Sequence, residues 1–142
     1  MKSSLVKVIL RSLMGLIFVV FGSNLFLHFI PNPPEPPAAG DFFMALFKTG
    51  YFIPMLGATQ VVSGVLLLTG MMVPFALVLI APVIVNIFLF HAFLAPGGLP
   101  LGIVVVALEV ILAWMHRDAF APLFAAGGAH AEHGAIGVTA RA

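Results

Sequence analysis

The sequence predicts an all-α integral membrane protein, a bundle of four antiparallel transmembrane helices with both termini on the cytoplasmic side. Three observations predict it. Apolar residues make up 62% of the 142 and charged residues only 8%, whereas a soluble domain carries roughly 25% charged residues to cover its surface. Four apolar segments approach or exceed the roughly 20 helical residues needed to cross a hydrocarbon core about 30 Å thick. Lys and Arg gather at the helix ends that share one side, as the positive-inside rule requires of the cytoplasmic side.

Span one runs from about Leu5 to Ile30, span two from about Phe52 to Met72, span three from about Pro74 to Leu94, and span four from about Pro100 to His116. The fourth is the shortest and reaches about 25 Å at 1.5 Å per residue, a length that local bilayer thinning accommodates. Lys2 and Lys7 resemble the start of a signal peptide. However, Arg11 interrupts the start of the apolar run, the run continues through Phe29, and Gly22-Ser23-Asn24 is a poor cleavage signal. The segment therefore reads as a retained span. Lys2, Lys7 and Arg11 precede span one and Arg117 follows span four, whereas the connection between spans one and two holds only Lys48, beside Glu35 and Asp41. Trp114 near the inner end and Tyr51 near the outer end fit interfacial aromatic belts.

The external connection, residues 31–50, has two parts. Pro31 to Pro37 is expected to be extended, because its prolines lack N–H donors. Asp41 then caps a short helix whose apolar side is Phe42, Phe43, Leu46 and Phe47, lying in the outer interface or over the bundle top. The other connections are short and force antiparallel neighbours. Pro74 and Pro100 stand at helix starts, where proline is tolerated, and Pro82 inside span three frees the carbonyl of Val78. Gly15 and Gly22, and likewise Gly57 and Gly64, are seven residues apart. That spacing keeps each pair on nearly one face and allows close helix approach. Residues 1–124 form one transmembrane domain, with Asp118 to Phe124 an interfacial segment. Residues 125–142 are Ala/Gly-rich and read as a flexible cytoplasmic tail.

The absence of cysteine excludes disulfides, thiolate nucleophiles and Cys-ligated metals. A net charge of +1 gives no electrostatic basis for a nucleic-acid partner. Polar residues within spans are costly and face the bundle interior as a rule. Asn24 and His28 in span one, Gln60 in span two, Asn86 and His91 in span three, and Glu109 in span four are expected to form one layer. That layer extends from mid-membrane to the outer leaflet around a small polar cavity. Asn24 and His28 share a face, being four apart, whereas Asn86 and His91 are offset by about 140° at 100° per residue.

Glu109 is the sharpest single residue. An ionised carboxylate at mid-membrane costs several kcal/mol if unpaired, so protonation, hydrogen bonding or pairing is expected, with His28, His91, Gln60 and Asn24 as partners. A structural polar clamp is the plainer account of it, and a ligand or proton role the sharper one. His28, His91 and Glu109 would supply a His-His-carboxylate metal set, but they stand on three helices and nothing in their spacing demands a metal. His130 and His133, with Glu132 between them, form a weak metal motif in the tail. The chain carries no phosphate loop, no nucleophile elbow and no pair of carboxylates within the bundle, and no catalytic residue is identified.

The order of features resembles the DoxX-like family of small bacterial membrane proteins over roughly Leu5 to Phe124. Arg11 opens span one, followed by Gly15-Leu16-Ile17-Phe18 and Gly22. Phe47 to Tyr51 precedes span two, which ends with Gly64-Val65-Leu66-Leu67-Leu68-Thr69-Gly70. Ala81-Pro82-Val83-Ile84-Val85-Asn86-Ile87 through His91 lies in span three, followed by Pro96-Gly97-Gly98-Leu99-Pro100. That family often carries Lys where Asn24 stands and Glu where Gln60 stands, so this chain has neutral amides in place of a charged pair. The resemblance implies a four-helix protein of the bacterial cytoplasmic (inner) membrane, with a link to quinone chemistry through the thiosulfate:quinone oxidoreductase subunit that names the family. The expected function is a non-catalytic accessory subunit or small-ligand-binding bundle of a larger membrane complex. The alternatives are a quinone-linked oxidoreductase subunit, with quinone as its cofactor, and a small transporter or proton pathway using Glu109. The expected partners are the lipid bilayer and either other membrane subunits or further copies of the chain.

Overall fold

The computed structural model describes residues 2–31 and 34–125. It contains α1 (Lys2–Leu27), α2 (Pro37–Lys48), α3 (Phe52–Thr69), α4 (Val73–Phe93), a 3-10 turn (Pro96–Gly98), α5 (Leu99–Met115) and α6 (Arg117–Ala125). Helices α1, α3 and α4, and α5 together with its 3-10 turn, are long and apolar enough to cross a bilayer. The protein is thus a multi-pass membrane protein built as an all-α four-helix bundle. Of the expected tail, residues 125–142, Ala125 closes α6, and the remainder, with its His130, Glu132 and His133 motif, lies outside the described residues.

Polar groups and prolines set the helix ends. The backbone N–H of Ile30 donates to Asn24 Oδ1 at 2.7 Å, and His28 takes a left-handed φ of 52°. The Asn24 amide thereby stops α1 at Leu27, short of the expected Ile30, by offering the backbone a local alternative to the helix. Gly70, at φ 74°, ends α3 at Thr69 rather than at Met72, because glycine enters the left-handed region without steric cost.

Helix α2 differs from the expected helix capped by Asp41. It begins at Pro37, follows an extended Pro36 (φ −55°, ψ 146°), and has no side-chain cap. The first turn of a helix needs no N–H from its first residue, so Pro37 initiates the helix instead of blocking it. Asp41 therefore lies inside α2. Its Phe42 and Phe43 rings lie 5.7 and 5.1 Å from the Phe90 ring of α4, and Ala39, Phe90 and Ala95 form a small buried cluster. Helix α2 thus rests on the far end of α4. The Thr49 hydroxyl donates to the Leu46 carbonyl and accepts from the Phe52 N–H, which fixes the turn into α3.

Around the bundle, α1 packs most extensively on α3, α3 on α4, α4 on α5, and α5 returns to α1. This leaves α1/α4 and α3/α5 as diagonal pairs. The α1–α3 seam is the closest. A Cβ on Gly15 would lie 2.8 Å from the Gly64 carbonyl oxygen, and one on Gly22 would lie 2.7 Å from Gln60 Cβ. In lipid there is little hydrophobic gain from bringing apolar helices together, so backbone proximity and van der Waals contact carry the association. The core contains Met14, Phe18, Leu67, Leu77, Ile80 and Leu112, all nearly or fully buried. The outward faces, including Leu16, Val62, Val85 and Ile103, are exposed apolar surface suited to the bilayer.

A cavity with a buried carboxyl between two helices

The six polar residues expected to form one layer are distributed among separate environments. Asn24 is used at the end of α1, donating to the Ile30 carbonyl at 3.4 Å as well as accepting its N–H. His28 follows α1 and is exposed. His91, near the end of α4, places Nδ1 3.1 Å from the carbonyl of Ala95. Its ring lies where a side chain on Gly98 would stand, so it shapes the turn into α5. Asn86 is exposed on α4, and Gln60 is buried between α3 and α1.

Glu109 stands apart from the other five. It lies ten residues from the start of α5 at Leu99 and six from its end at Met115, or about 15 and 9 Å at 1.5 Å per residue. Its depth therefore belongs to the half of the bundle nearer the termini, not to the half that carries α2. It lines a broad, laterally open cavity, closer to a surface groove than to an enclosed chamber, of about 660 Å³ with Leu77, Val78 and Ala81 of α4, Val110, Ala113 and Trp114 of α5, and Arg117, Phe120 and Ala121 of α6. None of the other five polar residues borders this cavity. The expected single layer fails in depth, because Glu109 lies nearer the Met115 end of α5, and in direction, because sequence offers position only by counting along each helix. It does not reveal which lateral gap a side chain enters.

Glu109 Oε2 is buried and has no hydrogen-bond partner. The surrounding wall is apolar, and Val78, Val110 and Trp114 are exposed at its mouth, so the cavity opens sideways into the region that lipid occupies. Arg117 stands at the end nearer the termini, its guanidinium carbon 5.5 Å from the Trp114 ring centroid. This cation–π contact holds the charge at the rim. Arg117 also approaches Asp118 at 4.0 Å, an exposed pair worth little. The arrangement is one carboxyl at the floor of a greasy slot and one cation at its edge. It fits a molecule with an apolar body and a polar group.

Two polar residues outside the expected set are structurally prominent. Ser63 is fully buried and its hydroxyl has no partner. It lies six residues from the end of α3, at the same depth as Glu109 on the diagonal helix. Its spacing from Gln60 and Leu67, three and four residues away, was the available signal, since residues three or four apart share a helix face. Arg11 donates from Nη1 to the carbonyls of Leu67 and Leu68 at 2.6 and 2.9 Å, satisfying acceptors that the end of α3 leaves open. Its role as a charge marking one membrane side concealed this capping role.

Among the described residues, no group of three or more His, Asp or Glu side chains is placed to hold a metal ion. His28, His91 and Glu109 are not gathered. No family model, curated protein or solved structure matches the chain.

Proposed function

We propose that the protein is a non-catalytic, small-ligand-binding bundle of the bacterial cytoplasmic membrane, acting as an accessory subunit of a larger membrane complex. The observation that carries this reading is Glu109 Oε2, buried without a partner at the floor of a laterally open apolar cavity. A buried oxygen left unpaired costs about 1–3 kcal/mol, and a ligand donating to it, or accepting from its protonated form, offsets that cost. The ligand enters from the lipid between α4 and α5, with its apolar body along Ala81 and Val110 and its polar group at Glu109. The positive-inside placement of Lys and Arg puts this entrance in the cytoplasmic leaflet.

A quinone is the second reading. A quinone carbonyl accepts a hydrogen bond from a protonated carboxyl, and its isoprenoid tail suits the lateral opening. The resemblance to the DoxX-like family points the same way. Transport or proton conduction through Glu109 is a third use of the same carboxyl.

Purification in native lipid nanodiscs, followed by mass spectrometry of the extracted small molecules, tests the proposal. A lipid-soluble compound is expected with the native chain and is expected to fall at least about tenfold in Glu109→Leu, as loss of a charged or buried hydrogen bond implies. Identical extracts from both proteins would overturn it. A bound quinone selects the redox reading, whereas proton or solute flux in liposomes that is lost in Glu109→Gln selects the transport reading.

A further inference from the structure

Asn86 carries an inference that does not depend on Glu109. It lies seven residues inside the end of α4 at Phe93, about 10 Å along the helix, and its side chain is exposed. Among the described residues no side-chain hydrogen bond involves it. Helix α2 covers Phe90 instead. An amide facing hydrocarbon finds no water, and polar side chains at such places hydrogen-bond across helices.

The surrounding face has a specific rhythm. Phe75, Leu79, Pro82, Asn86, Leu89 and Phe93 follow one another at intervals of 4, 3, 4, 3 and 4 residues. All are exposed except Leu79, which is half-buried. A 3.5-residue repeat is the pattern that left-handed helix pairs use for their seam, and a single Asn within such a seam sets register and copy number.

We propose that two copies of the chain associate along this face of α4, with the Asn86 amides of the two copies hydrogen-bonded to each other. Copies inserted in the same membrane share one orientation, so a two-fold axis along the membrane normal makes their α4 helices parallel. Each residue on the axis then faces its own equivalent. The amide has an NH2 donor and a carbonyl acceptor and is therefore complementary to itself. That self-complementarity selects a second copy of this chain as the occupant.

The chain has no cysteine, so a single introduced thiol reports its neighbours directly. The experiment uses the full chain in native membranes, with Leu89→Cys on the seam and Val62→Cys on the exposed face of α3. Oxidation is expected to give a disulfide-linked dimer of Leu89→Cys and none of Val62→Cys. Adding Asn86→Leu to Leu89→Cys is expected to lower the cross-linked fraction roughly three- to tenfold, the range for an interhelical hydrogen bond in a membrane. Asn86→Gln is expected to retain most of it. Unchanged helicity by circular dichroism separates loss of association from loss of fold, since leucine replaces an amide that is exposed on the single chain. The proposal is overturned by equal cross-linking at both positions, by no dimer at Leu89→Cys, by cross-linking only to a different protein, or by a dimer indifferent to Asn86→Leu.

Discussion

Gly15 and Gly64 exclude each other's side chains. A Cβ on Gly15 would stand 2.8 Å from the Gly64 carbonyl oxygen, and a Cβ on Gly64 would stand 2.7 Å from that of Gly15. Both obstacles are backbone, so neither helix yields by a rotamer change. Gly64→Val is expected to destabilise the bundle by about 1–3 kcal/mol, the usual cost of overpacking. Gly40, which has open space around it, is the control, and Gly40→Ala is expected to be nearly neutral. Thermal unfolding in a mild detergent measures both, and equal transitions for Gly64→Val and the native chain would refute the close seam.

Arg11 closes the same helix pair at the end nearer the termini. Replacing it with methionine keeps an unbranched apolar stem and removes both hydrogen bonds to the end of α3. The expected loss is about 1–3 kcal/mol, with faster amide exchange confined to residues around Leu67 to Gly70. Arg11→Lys is expected to recover part of it, because an ammonium reaches the carbonyls without the planar fork.

Phe90 holds α2 to the bundle through its contacts with Phe42 and Phe43. Phe90→Ala is expected to weaken this docking by roughly 1–3 kcal/mol, from two aromatic contacts worth about 0.5–1.5 kcal/mol each. Hydrogen exchange in Pro37–Lys48 should accelerate while the four spans keep their protection. Uniform acceleration would mean that α2 is integral to the bundle and not a docked segment.

Ser63 and Glu109 each present a buried oxygen without a partner. Removing such a group relieves its desolvation cost, so Ser63→Ala and Glu109→Leu are each expected to leave the empty bundle at least as stable as the native one, with gains of up to about 1–3 kcal/mol. The two should diverge in ligand retention, with Ser63→Ala keeping the extracted compound and Glu109→Leu losing it. A marked drop in melting temperature for Glu109→Leu without ligand would show that the carboxyl is a structural clamp.

The number of spans, their order and the membrane setting were legible in the sequence, because hydrocarbon imposes a length and a composition on every crossing segment. The glycine faces were legible as well, since a seven-residue spacing returns a residue to nearly the same side of a helix. Helix ends were less so: the amide of Asn24 and the first-turn placement of Pro37 moved two boundaries through local hydrogen bonding and sterics. For the six polar residues counting along each helix set only an approximate depth, and Glu109 lies nearer the termini than the expected outer layer. Tertiary structure decided the rest, leaving Glu109 alone in a gap between α4, α5 and α6, turning Asn24 and His91 to their own backbones, and exposing Asn86. The reason is largely rotational: a helix's position along the membrane normal follows approximately from counting residues, but its rotation and neighbours follow from packing across the α1–α3 and α4–α5 seams, between residues far apart in the chain.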